Sequence, residues 1–236
     1  MSRDEAALYR ADLANDLTTV VGVLRKEVRE GSNLSPLDRA AAVCRAAKNA
    51  NEWEYDFDGV SFTAEVKHVP GAMEISVELS LSVRGICHPE QNVDPLVDLS
   101  MQIVLVGSTG KETTMAAWHL DRHPEHQDSK QMHPRYHLQH AGHRIKKSGI
   151  DFGASLFLDV PRIVHAPLDG ILAVDFVLGS YLPDTFVRCR DNAQYCRCVK
   201  SAQERLWKPY VAALHSFWSD GATSPLASGY WPSIYC

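Results

Sequence analysis

From Val60 to Val83 the chain alternates apolar and polar residues with one interruption. Val60, Phe62, Ala64 and Val66 interleave with Ser61, Thr63, Glu65 and Lys67. Beyond Pro70-Gly71, Met73, Ile75, Val77, Leu79, Leu81 and Val83 interleave with Glu74, Ser76, Glu78, Ser80 and Ser82. A period of two marks strands that bury one face. Folding the runs about Pro70-Gly71 sets Val66 opposite Ile75, Ala64 opposite Val77 and Phe62 opposite Leu79, with Lys67 opposite Glu74 on the polar face. Both faces agree on that register, which specifies a hairpin. An L-Pro-Gly turn lacks the primed geometry of tight hairpins, so a longer loop or bulge is expected. Upstream, Asp58-Gly59 reads as a turn. A second hairpin runs from Asp98 to Val106, turns through Gly107–Gly110 and returns from Thr113 to Leu120. Two more strands are predicted, Tyr136 to His140 and Ser155 to Val160.

Helical spacing flanks this block. Leu13, Leu17, Val20, Val21, Leu24 and Val28 predict a helix from about Glu5 to Arg29, stopped by Gly31. Ser35-Pro36-Leu37-Asp38 predicts a second start, with Ser35 as N-cap, Pro36 at the first position and Asp38 as the capping-box acid, running to about Ala50. Pro167 to Leu182 reads as an apolar helix. Asp191 followed by Gln194 predicts a last helix burying Cys196, Val199, Leu206, Tyr210, Leu214 and Phe217, kinked or divided at Pro209. The order predicts an α+β fold: an antiparallel sheet of hairpin-connected strands with the N- and C-terminal helices packed on one face. No linker is evident. One domain is expected over residues 1–218 (helices about 5–50, sheet about 55–160, helices about 167–218), followed by a Ser/Gly/Pro-rich aromatic tail over 219–236.

The formal net charge of −5 argues against a broad phosphate-binding surface. The basic concentration is Arg144, Lys146 and Lys147, a small patch through which nucleic acid could bind. MSRDEAALYR does not read as a signal peptide, no run is long enough for a membrane span, and six cysteines in such a chain read as reduced thiols. The expectation is a cytoplasmic protein with no membrane partner.

Seven of eleven histidines lie between His119 and His143. Neutral imidazole is a common metal ligand. Three or four donors must converge on one point, and a strand from Tyr136 to His140 sends His137 and His140 to opposite faces. The odd-numbered set His119, His123, His133, His137 and His143 is the most economical group of candidate metal ligands, with His137, Asp121 and Glu125 as candidate catalytic groups. Arg135, Arg144, Lys146 and Lys147 are candidate anion contacts. The competing reading is a polar surface loop. No HExxH and no paired CxxC fixes a zinc geometry. A divalent ion, zinc or manganese, is the cofactor this reading implies.

The segment His133-Pro134-Arg135-Tyr136-His137-Leu138, leading into Gly142, His143 and Arg144 and followed by Pro167-Leu168 and a helix ending FVLGSYLP, resembles uncharacterised bacterial proteins with an HPxxHL strand before a C-terminal apolar helix. The resemblance implies no activity; it suggests a bacterial defence or mobile-element setting.

Two further motifs carry less. Glu65-Val66-Lys67 after Asp56 and Asp58 has the residue types of a metal-dependent nuclease, but the ExK strand turns back into a partner strand, so a solvated sheet face accounts for it better. Cys189, Cys196 and Cys198 lack a second cysteine pair, and Cys196 reads as a buried thiol. Two functions therefore stand at this level. One is a non-catalytic, macromolecule-binding component of a bacterial multi-protein system, docking a protein partner through a tail that includes Trp231. The other is a metal-dependent hydrolase or nuclease built on the His119–His143 cluster.

Overall fold

The computed structural model describes residues 3–46, 51–64, 74–88, 94–108, 113–123, 134–151, 153 and 161–219. Two helices, α1 (Arg3–Glu27) and α2 (Ser35–Ala46), precede β1 (Glu52–Ala64), β2 (Glu74–Ile86), β3 (Leu96–Ser108), β4 (Thr113–Arg122) and β5 (Tyr136–His140). A short helix α3 (Gly142–Lys147) and the two-residue strand β6 (Ile163–Val164) lead to α4 (Gly170–Tyr181), α5 (Pro183–Arg190) and α6 (Ala193–Ser219). The six strands form one antiparallel sheet in chain order. The α+β class is as the sequence predicts.

Alternation decides which face is which. Rows such as Val60–Leu79–Ile103–Trp118 and Phe57–Leu81–Met101–Leu120 run across the sheet on one face. The terminal helices cover that face, and one apolar cluster joins it to Leu13, Leu17, Leu37, Val174 and Leu206. Each fully buried aliphatic or aromatic side chain contributes about 1.5–3 kcal/mol on transfer from water. The opposite face carries its own small cluster: Val104 and Ala117 on the sheet, with Ile145 from α3 and Ala141 just before it closing over them. No sequence pattern had placed a helix there. Because α3 is present, the helices do not all share one face.

Several expectations need correcting. The first hairpin pairs Ala64 with Ile75, Phe62 with Val77 and Val60 with Leu79, two residues away from the predicted register. A slip of two leaves every side chain on its own face, so alternation cannot distinguish the two pairings. Asp58-Gly59 is not a turn: it is a bulge inside β1, where the register shifts between Phe57 and Val60 and Gly59 takes φ +72°. The apolar face therefore extends back through Trp53, Tyr55 and Phe57.

The helix starts differ in detail. Asn33 Oδ1 accepts from the Ser35 amide, and Asp38 pairs with Arg25 instead of closing a capping box. Asn192, not Asp191, caps α6, accepting from the amides of Gln194 and Tyr195. The predicted apolar helix begins at Gly170 behind an Asp169 N-cap. On α6 the buried thiol is Cys198, while Cys196 is half-buried; the stripe is rotated to Tyr195, Cys198, Val199, Ala202, Leu206 and Tyr210. The helix continues through Pro209 undivided. The predicted strand Ser155–Val160 and the pairing of Lys67 with Glu74 lie outside the described residues, as do Glu65 and the tail from 220 onward. Among the described residues, no helix is long and apolar enough to cross a membrane.

Candidate metal centre

The α3 side of the sheet is polar toward the β4–β5 end. His119 and Asp121 lie two apart on β4, and Asp121 faces His137 across the ladder to β5. Period-two geometry thus delivers three donors to one patch. One donor atom from each of His119, Asp121 and His137 lies within 4.8 Å of the other two. His119 Nε2 stands 3.2 Å from Asp121 Oδ2. A tetrahedral ion with bonds of about 2.0–2.1 Å holds its donors roughly 3.4 Å apart. One pair is therefore already at ligation spacing, and the others, at up to 4.8 Å, need to close by about an ångström or a little more.

Burial and hydrogen bonding prepare the imidazoles. His137 is 3% exposed and His119 is 7% exposed, whereas the Asp121 side chain is 36% exposed and leaves one side of the patch open. His137 Nδ1 sits 3.1 Å from the Pro134 carbonyl. A carbonyl can only accept, so in the neutral ring Nδ1 carries the proton and Nε2 keeps its lone pair. This is the usual way an outer partner fixes a ligand's tautomer and aim. The HPxxHL segment thereby acquires a physical meaning: its proline carbonyl orients its second histidine. Burial lowers the proton affinity of His137, with the Pro134 bond and Asp121 opposing and Arg162 and His119 adding to the effect. At neutral pH the ring is an available ligand.

A second layer surrounds the three. Gln139 pairs with His119 across the ladder; it is 6% exposed, and its Oε1 has no hydrogen-bond partner among the described residues. A buried acceptor without a partner, beside two histidines, fits a site that takes a cation or a water as its partner. The α3 helix brings His143 edge-on to His119, with ring centroids 5.8 Å apart, and Arg144 bonds Gln102, the β3 neighbour of His119. Lys146 and Lys147 are exposed on the same helix. Arg162 precedes β6, where the pairing of Val164 with His137 puts it on this face. Arg162 and Gln139 were missed from sequence because neither stands in the histidine pattern; only strand pairing reveals them.

His140 lies on the opposite face, edge-on to Trp118, as alternation requires. His123 follows β4 with its amide bonded to the Arg135 carbonyl, and it is not among the three converging donors. Arg135 is buried, with Nη1 3.4 Å from Asp94, in a network with Arg122 and Tyr136, so it does not serve as a surface anion contact. Glu125, His133 and Trp231 lie outside the described residues. No cysteine belongs to a metal-type cluster among the described residues.

Comparison with known proteins gives no assignment. No family profile, curated protein or solved structure matches the chain.

Proposed function

We propose that the chain is a divalent-metal-dependent hydrolase acting on an anionic ester, with His119, Asp121 and His137 as the metal ligands. The observation carrying this reading is the convergence of two buried imidazoles and one half-open carboxylate on the face that α3 lines with basic residues. Two histidines and one carboxylate leave coordination positions for water and substrate, and a bound divalent ion supplies an acidified water and polarises the ester oxygen. The protein's own groups do the rest. Pro134 holds His137 in its ligating tautomer, and the sheet fixes the spacing of all three donors. Arg144, Lys146, Lys147 and Arg162 provide positive charge for a phosphate or carboxylate.

The alternative, a non-catalytic binding component, rests on the 219–236 tail and Trp231, which lie almost wholly outside the described residues. The described side chains contribute to the metal reading instead. Protein purified without a histidine tag, stripped with chelator and reloaded with zinc or manganese, should hydrolyse bis(p-nitrophenyl) phosphate in a metal-dependent manner. His137→Ala should lower that rate by about 100-fold or more. Turnover that persists in chelator or in His137→Ala contradicts the reading. So does the absence of metal-dependent turnover on phosphodiester and carboxylic ester alike.

A further inference from the structure

A fourth side chain stands with the three converging donors. A period of two puts His119 and Asp121 on one face of β4, and His137 and Gln139 on the same face of β5. The register pairs His119 with Gln139 and Asp121 with His137, so the four form a two-by-two block. Directly opposed residues have Cβ atoms about 4.5–5.5 Å apart, and residues two along a strand are about 6.8 Å apart. Side chains of this length reach a common point above the centre of such a block. Three corners already do so, with donor atoms within 4.8 Å of one another. The fourth corner is an amide.

Gln139 is 6% exposed, although the face stays open at Asp121, and its buried Oε1 has no hydrogen-bond partner among the described residues. The glutamine on the other side of His119 makes the contrast. Gln102, the β3 neighbour, has its amide oxygen engaged by the Arg144 guanidinium. The oxygen that completes the block is the one left open. Its neighbours do not supply a donor in its place: His137 presents a lone pair at Nε2, because Nδ1 donates to Pro134, and Asp121 presents a carboxylate. Acceptors that face one another call for a cation between them.

We propose that Gln139 Oε1 is the fourth protein ligand of the ion, and that this donor set selects manganese as the activating metal. The inference rests on the divalent-metal reading of the same site. Four protein donors fill a tetrahedral zinc ion and close it, as in structural zinc sites. Manganese takes an octahedral set, so the same four donors leave it positions for water and an ester oxygen. An amide oxygen is also a hard, neutral donor of the kind that suits manganese. Asp121 supplies the one negative charge, which keeps the loaded centre cationic toward an anionic substrate.

Calorimetric titration of the metal-free, untagged full chain with manganese and with zinc tests the assignment, with far-UV circular dichroism as the check on folding. Gln139→Leu should weaken manganese binding about tenfold or more and zinc binding by less. Gln139→Glu, which returns an oxygen donor, should bind manganese at least as tightly as the parent. Manganese-loaded parent should turn over bis(p-nitrophenyl) phosphate about tenfold faster than zinc-loaded parent. Parent-like manganese binding by Gln139→Leu overturns the ligand role and leaves the three-ligand centre standing. Equal losses for both ions mark a merely structural role and overturn it too, as does a Gln139→Glu chain that binds manganese no better than Gln139→Leu. Faster turnover with zinc overturns the selection of manganese. A folded parent that binds neither ion contradicts the metal centre itself, and this inference with it.

Discussion

His137 is a usable ligand because its other ring nitrogen is already engaged: Nδ1 donates to Pro134, leaving Nε2 for the patch shared with His119 and Asp121. His165 uses the same chemistry without a site. Its Nδ1 lies 2.7 Å from the Ala166 carbonyl, its ring meets Phe176 edge-on, and burial lowers its proton affinity. The unfolded imidazole titrates near pH 6.5 and the folded one lower. As pH falls through the interval between them, the unfolded chain takes up a proton that the folded chain refuses. Stability contributed by His165 is thus intact above about pH 6.5 and declines below it. His165→Gln should flatten the melting-temperature profile between about pH 7 and pH 5; a profile parallel to the parent's contradicts this assignment. At this scale the sequence is half legible. Alternation alone removed His140 from the cluster, but nothing in the spacing could show that Asp121 faces His137, since that depends on which strands pair and in what register.

At the scale of elements, the sheet's packing depends on one close approach. A Cβ at Gly85 would lie 2.4 Å from the Trp53 ring, and Gly85 is the cross-strand partner of Trp53. The missing side chain lets the indole lie flat over β2. Gly85→Ala should therefore cost about 1–3 kcal/mol, measured by urea denaturation; a cost near zero means the indole can move aside freely. Element types were readable from periodicity because burial imposes it. Their ends were not. The two-residue slip of the first hairpin is invisible to a period-two pattern, and the bulge at Gly59 looks like a turn until pairing continues beyond it. The short helix α3 escaped notice because six residues with one buried apolar side chain, Ile145, carry no periodic signal.

Across the whole molecule, Arg205 ties three helices together: it joins α6 to Asp16 on α1 and to Asp169, the N-cap of α4. Asp169 is fully buried, so removing its counter-ion strands a charge in the interior. Arg205→Met should destabilise the chain by about 3–5 kcal/mol, and a loss under about 1 kcal/mol contradicts a structural role for the pair. The layered α+β architecture follows from the order of elements and the single apolar face, both legible in the chain. The histidine cluster narrows, among the described residues, to His119 and His137, with Asp121 and Gln139 beside them, because these two have donor atoms converging with the Asp121 carboxylate, whereas His143 stacks edge-on against His119 without joining that group. In the proposed function these donors hold a divalent ion, and calorimetric titration of the metal-free, untagged protein with zinc measures that binding. The parent should bind one equivalent, and His119→Ala and His137→Ala should each weaken that binding about 100-fold or more. Undiminished zinc binding in both variants, or none in a folded parent, contradicts it.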